Sequence, residues 1–153
     1  MKKLVFSLMA LIAAFTTFAQ EDIPLDATID FVQFDKAVKG VEVDGYVCTT
    51  TAEDPTVYSA LFTLNELNGA LTAFHVSFYN LITSGNDEFI PVKEYEVDGK
   101  KAYLGTNNFQ SSGETPMNVL VVLFADLRMT IVINAETDIP VETLEMIMKK
   151  LVF

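Results

Sequence analysis

The sequence predicts an α+β fold, with one antiparallel β-sheet of about five to seven strands and a C-terminal α-helix packed on one face. Three stretches of the printed sequence carry this prediction. Residues 92–104 alternate around a turn pair, residues 119–133 are rich in β-branched side chains, and residues 137–151 repeat apolar side chains at helical spacing.

The N-terminus has the three parts of a secretory signal peptide. A basic start is followed by an apolar stretch from Leu4 to Phe15 and by small residues at Thr17 and Ala19. We therefore expect residues 1–19 to be a cleaved signal peptide, with cleavage near Gln20. The stretch from Leu4 to Ala19 is shorter than the ~20 residues of a spanning helix, so no stable membrane insertion is expected after cleavage.

Residues 20–153 are expected to form a single domain in the periplasm or outside the cell. Cleavage removes Lys2 and Lys3 and no acid, which leaves 8 basic and 21 acidic side chains and a formal charge of −13. Nucleic-acid binding depends on cations that neutralise phosphates, so this charge argues against it. The full chain is 50% hydrophobic, which predicts a packed core rather than disorder.

The first half of the domain predicts a helix, a strand and a hairpin. Residues 30–38 fit a short helix with Phe31, Phe34 and Val38 inward, and residues 46–51 fit a strand before a turn at 53–55. Residues 60–82 fit either a helix or a hairpin that turns at Asn68-Gly69. The hairpin is favoured because a glycine inside a helix costs ~1 kcal/mol relative to alanine.

The Asp98-Gly99 pair predicts a two-residue hairpin turn, because both positions of such a turn need positive φ. Counting outward then pairs Val97 with Lys100, Glu96 with Lys101 and Tyr95 with Ala102. The same four letters, EVDG, also occur at residues 42–45. Since the flanking residues do not align, we interpret the repeat as one turn used twice, not as a duplicated unit.

Residues 119–133 predict a second hairpin, which reverses at Ala125-Asp126 and forms the centre of the sheet. Residues 137–151 predict the closing helix, with Thr137 or Asp138 as its cap and Pro140 in its first turn. Lysines 149 and 150 lie near the carboxyl end of this helix, as the helix dipole favours.

Cys48 and His75 are the only cysteine and the only histidine of the chain. Together they could form a thiol–imidazole dyad, which requires the two side chains to meet in space. If the two side chains do not meet, Cys48 is a small apolar residue on one strand, and His75 lies on the more solvent-exposed face of another strand. The sequence contains no GxSxG, Walker, HExxH, CxxC or EF-hand pattern.

Acidic side chains cluster without a spacing that specifies chemistry. A glycosidase needs two opposed carboxylates, and calcium needs six to eight oxygen ligands. The segment that contains Asp87 and Glu88 is the candidate for a cation loop. The other clusters are Asp22/Asp26/Asp30, Glu53/Asp54 and Glu94/Glu96/Asp98.

These patterns favour an exported domain of non-catalytic binding type, without a cofactor, whose partner is an envelope protein or a small ligand. Tyr79 and Tyr103 are the candidate ligand-binding aromatics. One alternative is a small hydrolase that uses the Cys48/His75 dyad or a carboxylate pair. A calcium-stabilised structural domain is the other.

Overall fold

The fold is an eight-stranded antiparallel sheet with three α-helices, seen in a computed structural model that describes residues 23–64, 67–84, 89–107 and 116–153. The predicted signal peptide lies outside these residues. The helices are α1 (Phe31–Lys39), α2 (Phe78–Thr83) and α3 (Val141–Lys150). The strands are β1 (Glu42–Val43), β2 (Tyr46–Asp54), β3 (Val57–Leu64), β4 (Leu67–His75), β5 (Phe89–Val97), β6 (Lys100–Asn107), β7 (Met117–Phe124) and β8 (Met129–Glu136).

The α+β class is confirmed, but the strand count of five to seven is too low. The strand order is β1-β2-β3-β4-β8-β7-β6-β5. Strand β1 has only two residues, too few to show an alternating pattern in the sequence. It forms because the turn at Asp44-Gly45 folds it onto β2.

Each four-strand run of this order is a meander, and the two meanders join where β4 pairs with β8. The EVDG repeats provide the turn of the first hairpin in each meander. Asp44 and Gly45 have φ of 52° and 87°, and Asp98 and Gly99 have φ of 51° and 72°. The repeat therefore marks corresponding turns of two similarly ordered halves, a correspondence that the unmatched flanking letters concealed.

The register predicted around Asp98-Gly99 is confirmed. Val97 pairs with Lys100, Glu96 with Lys101 and Tyr95 with Ala102. The second predicted hairpin also forms, with a short 3-10 turn at Ala125–Leu127 between β7 and β8.

Residues 60–82 do form a hairpin, but not with the predicted turn. Strands β3 and β4 pair from Tyr58 with Ala73 to Leu64 with Leu67, so the chain reverses before Asn68-Gly69. Gly69 instead lies within β4, opposite Ala135. The predicted hairpin is also too long: β4 ends at His75, and Phe78–Thr83 is a helix that buries Phe78, Tyr79 and Ile82.

The two sheet faces carry separate apolar clusters. The first face includes Phe62, Leu71, Leu120 and Ile131 and is covered by α1 and α3. On the second face, Val121 and its neighbours are covered by α2, whose buried residues are Phe78, Tyr79 and Ile82. The predicted packing of the C-terminal helix on one face is therefore observed.

Helix α3 determines how the sheet bends, since it contacts both outer strands, β1 and β5. In a flat sheet these strands would be about 34 Å apart, at ~4.8 Å for each of seven gaps. A helix is only ~10 Å wide, so the sheet curls around α3. The helix begins after Pro140 without a side-chain cap, so the predicted cap by Thr137 or Asp138 is wrong.

Helix α1 begins where the sequence predicted, because Asp30 and Gln33 form a capping box. The Asp30 Oδ1 accepts a hydrogen bond from the Gln33 N–H at 2.9 Å, and the Gln33 Oε1 accepts one from the Asp30 N–H at 3.0 Å. Phe34 and Val38 bury completely against the first face.

Candidate functional site

A groove of about 630 Å³ opens at the end of the sheet where β5 turns into β6 and β7 turns into β8. The residues after α3 form its third wall. We call it the end groove. Its lining consists of Asp98, Gly99, Lys100, Lys101, Leu123, Phe124, Ala125, Asp126, Leu127, Lys149, Leu151, Val152 and Phe153. Its volume lies within the usual range of small-molecule sites.

The floor of the end groove is apolar and aromatic. Phe124, the last residue of β7, is 5% exposed. The Phe153 ring meets it edge to face, with centroids 5.8 Å apart and planes at 89°. Leu151 is buried beside them. This floor exists because the chain after α3 returns across the turn between β7 and β8.

Three lysines also line the end groove. The Lys100 Nζ lies 5.2 Å from the centroid of the Phe124 ring and 3.3 Å from the Asp98 Oδ2. Lys101 and Lys149 are exposed, and neither has a carboxylate within salt-bridge distance among the described residues. The groove thus gathers three of the ten basic residues of the chain, beside two acids.

Cys48 lies half-buried on β2 and is not set up as a nucleophile. Its Sγ donates to the Thr50 carbonyl oxygen at 3.7 Å. Burial raises the pKa of the Cys48 thiol, and the hydrogen bond and the charge of Lys39 oppose this only in part. A reactive cysteine needs the opposite shift.

His75 lies far from Cys48. Cys48 is opposite Phe62, and Phe62 is opposite Gly69, so His75 lies two strands away and six residues further along β4. Strand spacing and rise place the two residues about 20 Å apart. The His75 Nδ1 instead accepts a hydrogen bond from the Ser77 N–H at 3.3 Å. The structure therefore does not bring the predicted dyad together.

The two candidate tyrosines belong to the second face. Tyr79 is 5% exposed and its hydroxyl has no hydrogen-bond partner among the described residues. Burial, with the nearby charge of Glu94 second, raises the pKa of Tyr79. Tyr103 is half-buried, with its ring 5.7 Å from the Phe89 ring. Tyr79 is therefore part of the core under α2.

The predicted cation candidates, Asp87 and Glu88, lie outside the described residues. Within the described ranges, no three His, Cys, Asp or Glu side chains come together in a way that could hold a metal ion. Among the half-buried carboxylates, Glu136 has its pKa raised by burial first and by Asp138 second. Glu136 ends β8, at the end of the sheet opposite the end groove.

The end groove was missed by the sequence analysis, although its residues carried signals. Lys100 and Lys101 were interpreted as strand residues beside a turn, and Lys149 as a partner of the helix dipole. No local pattern shows that the turns at residues 98–99 and 125–127 meet the end of the chain.

Comparison with models of known protein families, with curated proteins and with solved structures found no match for this chain. In the part of the chain that the structure describes, no helix is both long and apolar enough to cross a membrane.

Proposed function

We propose that this chain is a non-catalytic binding domain, exported to the periplasm or secreted, whose end groove takes a small anionic molecule with an apolar body. The observation that carries the proposal is that three lysines and the Phe124 and Phe153 rings line the same groove, with the Lys100 Nζ over the Phe124 ring. An envelope protein as partner, the other expectation from the sequence, would use a different surface.

The lysines gathered at the end groove support an anionic ligand, although the chain as a whole is acidic. Residues 20–153 have 13 more acidic than basic side chains, so an anion is repelled by most of the surface. Local clusters of one sign raise the local concentration of the opposite charge. Lys101 and Lys149 are free to pair with a ligand because the described carboxylates do not pair with them.

The floor supports an apolar body in the same ligand. Burying ~150 Å² of apolar surface contributes ~4 kcal/mol, and two charged hydrogen bonds add ~3 kcal/mol. Their sum corresponds to a Kd on the order of 10 µM. The entropy lost when the ligand and the exposed lysines become ordered lowers this affinity, so we expect a Kd between ~10 µM and ~1 mM.

The lining also explains why we propose binding rather than catalysis. It contains no cysteine, histidine, serine, threonine or tyrosine. Its two carboxylates, Asp98 and Asp126, are both exposed, whereas a catalytic acid is usually tuned by burial.

Binding of an anionic aromatic probe, anilinonaphthalene sulfonate, tests this proposal through fluorescence and calorimetry. The K101E/K149E variant should bind it at least ~10-fold more weakly than the native domain. The matched control, K36E/K93E, makes the same charge change on lysines outside the groove and should bind within ~2-fold. The proposal is wrong if the native domain does not bind below ~1 mM, or if both variants lose affinity equally.

Export is tested separately. N-terminal sequencing of the protein recovered outside the cytoplasm should begin near Gln20. Recovery of a chain that still begins with Met1 would contradict the cleavage.

A further inference from the structure

The two edges of the sheet differ in how many unpaired backbone N–H and C=O groups they expose. Strand β1 pairs only with Tyr46 and Val47 of β2. From Cys48 to Asp54, the described residues place no strand on the outer side of β2. Every second residue of an edge strand turns its N–H and C=O groups outward, so this segment offers a row of unpaired backbone groups.

Strand β5, the other outer strand, carries several features that block pairing. Pro91 lacks an N–H, and the register shifts between Pro91 and Lys93. The Lys93 Nζ lies 4.1 Å from the centroid of the Tyr95 ring, so it lies over the strand. Proline, bulges and lysine are the usual protections of a sheet edge.

Strand β2 has fewer of these protections. Its one register shift lies between Cys48 and Thr50, and from Thr50 to Asp54 its pairing with β3 is continuous. This stretch contains no proline or lysine. It is five residues long, or about 17 Å at ~3.3 Å for each residue, which is enough for a short added strand.

The side chains along this edge suit an extended partner of positive charge. Thr49 and Thr50 are exposed and have high strand propensity. Glu53 and Asp54 are exposed acids at one end of the strand. Thr51 donates to Asp35 of α1, whose charge is paired with Lys39 at 2.6 Å. A second copy of this acidic chain would be repelled, whereas a basic strand would be attracted.

We propose that the outer edge of β2, from Thr50 to Asp54, binds a basic extended segment of a partner protein by strand addition. Backbone hydrogen bonds would supply the pairing, and Glu53 would select for lysine or arginine, since the Asp54 Oδ1 already accepts hydrogen bonds from the N–H and the hydroxyl of Thr56. The site is separate from the end groove, whose lining contains no residue of β2, so neither proposal depends on the other.

The test uses a fluorescent peptide of seven alternating lysine and valine residues with the mature domain. Two further peptides carry N-methyl groups on alternate residues, one on the odd positions and one on the even positions. N-methyl groups on the peptide edge that faces β2 prevent the backbone hydrogen bonds of an added strand. N-methyl groups on the edge that faces solvent leave those hydrogen bonds intact. We expect one methylated peptide to bind at least ~10-fold more weakly than the parent and the other within ~2-fold.

Hydrogen exchange locates the peptide. Amides of residues 50–54 should exchange at least ~5-fold more slowly with the parent peptide bound. The variant Glu53→Lys should weaken binding at least ~3-fold. Glu94→Lys, the same change on the opposite outer strand, should leave binding within ~1.5-fold.

Three results would overturn the proposal. Equal affinity for all three peptides would mean charge attraction without strand addition. Equal affinity for a peptide with glutamate in place of lysine would show that the site does not select for positive charge. Protection of residues 50–54 that rises with protein concentration, together with a dimer in sedimentation, would identify a second copy as the occupant.

Discussion

Replacing Gly105 with alanine should cost more stability than its position near the edge of the sheet suggests. Gly105 is buried on β6, and the Phe89 ring lies directly over it. A Cβ at this position would overlap two ring atoms of Phe89 and would lie 2.5 Å from the carbonyl oxygen of Ile90. The Phe89 ring is a side chain, but the Ile90 carbonyl oxygen belongs to the backbone of the neighbouring strand, β5.

The magnitude follows from the two ways in which the structure can relax. If Phe89 stays in place, strand β5 must shift, and such overpacking costs ~1–3 kcal/mol. If the Phe89 ring instead moves out into solvent, the free energy of burying this side chain, which is 7% exposed in the native structure, is lost. That free energy is ~2–3 kcal/mol. The two ranges overlap at about 2–3 kcal/mol, which is the loss that we expect. At ~3–4 °C for each kcal/mol, the Tm should fall by about 6–12 °C.

Urea denaturation and calorimetry of the mature domain measure this loss. Gly40→Ala is the matched control, since Gly40 has φ of −79° and its nearest obstacle, the Lys36 carbonyl oxygen, is 3.4 Å away. It should change stability by less than ~1 kcal/mol. In a Phe89→Ala background, Gly105→Ala should cost at least ~1 kcal/mol less than in the native background. A loss below ~0.5 kcal/mol in the native domain would refute the packing argument.

Three further predictions concern a cap, a hydroxyl and a thiol. Asp30→Ala should lower stability by ~1 kcal/mol in urea denaturation, and Asp30→Ser should restore most of it; equal stability of the two variants would contradict the capping role. Burial, with the 2.6 Å hydrogen bond to Glu145 second, raises the pKa of Tyr95, so its stabilisation holds below the unfolded pKa of ~10 and is lost as pH rises above it. Tyr95→Phe should therefore reduce the loss of stability between pH 10 and pH 12, and an unchanged slope would count against this. Burial raises the pKa of Cys48, so iodoacetamide should label it at pH 7 at least ~5-fold more slowly than in urea. His75→Ala should leave that rate unchanged, and a slower rate would revive the dyad.

Local chemistry explains which elements were predictable. The Asp98-Gly99 turn sets the register of its hairpin because both residues adopt positive φ. The start of α1 follows from a capping box within four residues. In both cases the interacting groups are close in sequence, so pattern and structure agree.

The errors occurred where packing between distant segments decides the outcome. The predicted hairpin extends to residue 82, yet residues 78–83 form α2 because Phe78 and Ile82 bury together on the second face. Asn68-Gly69 has turn chemistry, but Gly69 lies inside β4, where an added Cβ would be 3.2 Å from the Asn134 carbonyl oxygen. Close approach of two strands there explains the glycine.

The sequence by itself determined the α+β class, the hairpins that turn at residues 98–99 and 125–127, and the two longer helices, because turn chemistry and side-chain periodicity act over a few residues. Only the tertiary structure decided that β4 lies beside β8, that α3 joins both edges of a curled sheet, and that Cys48 and His75 are far apart. It also decided the end groove, where Lys100, Phe124 and Phe153 meet. These contacts join residues that are 24 or more positions apart in the chain, and no local pattern encodes such pairings.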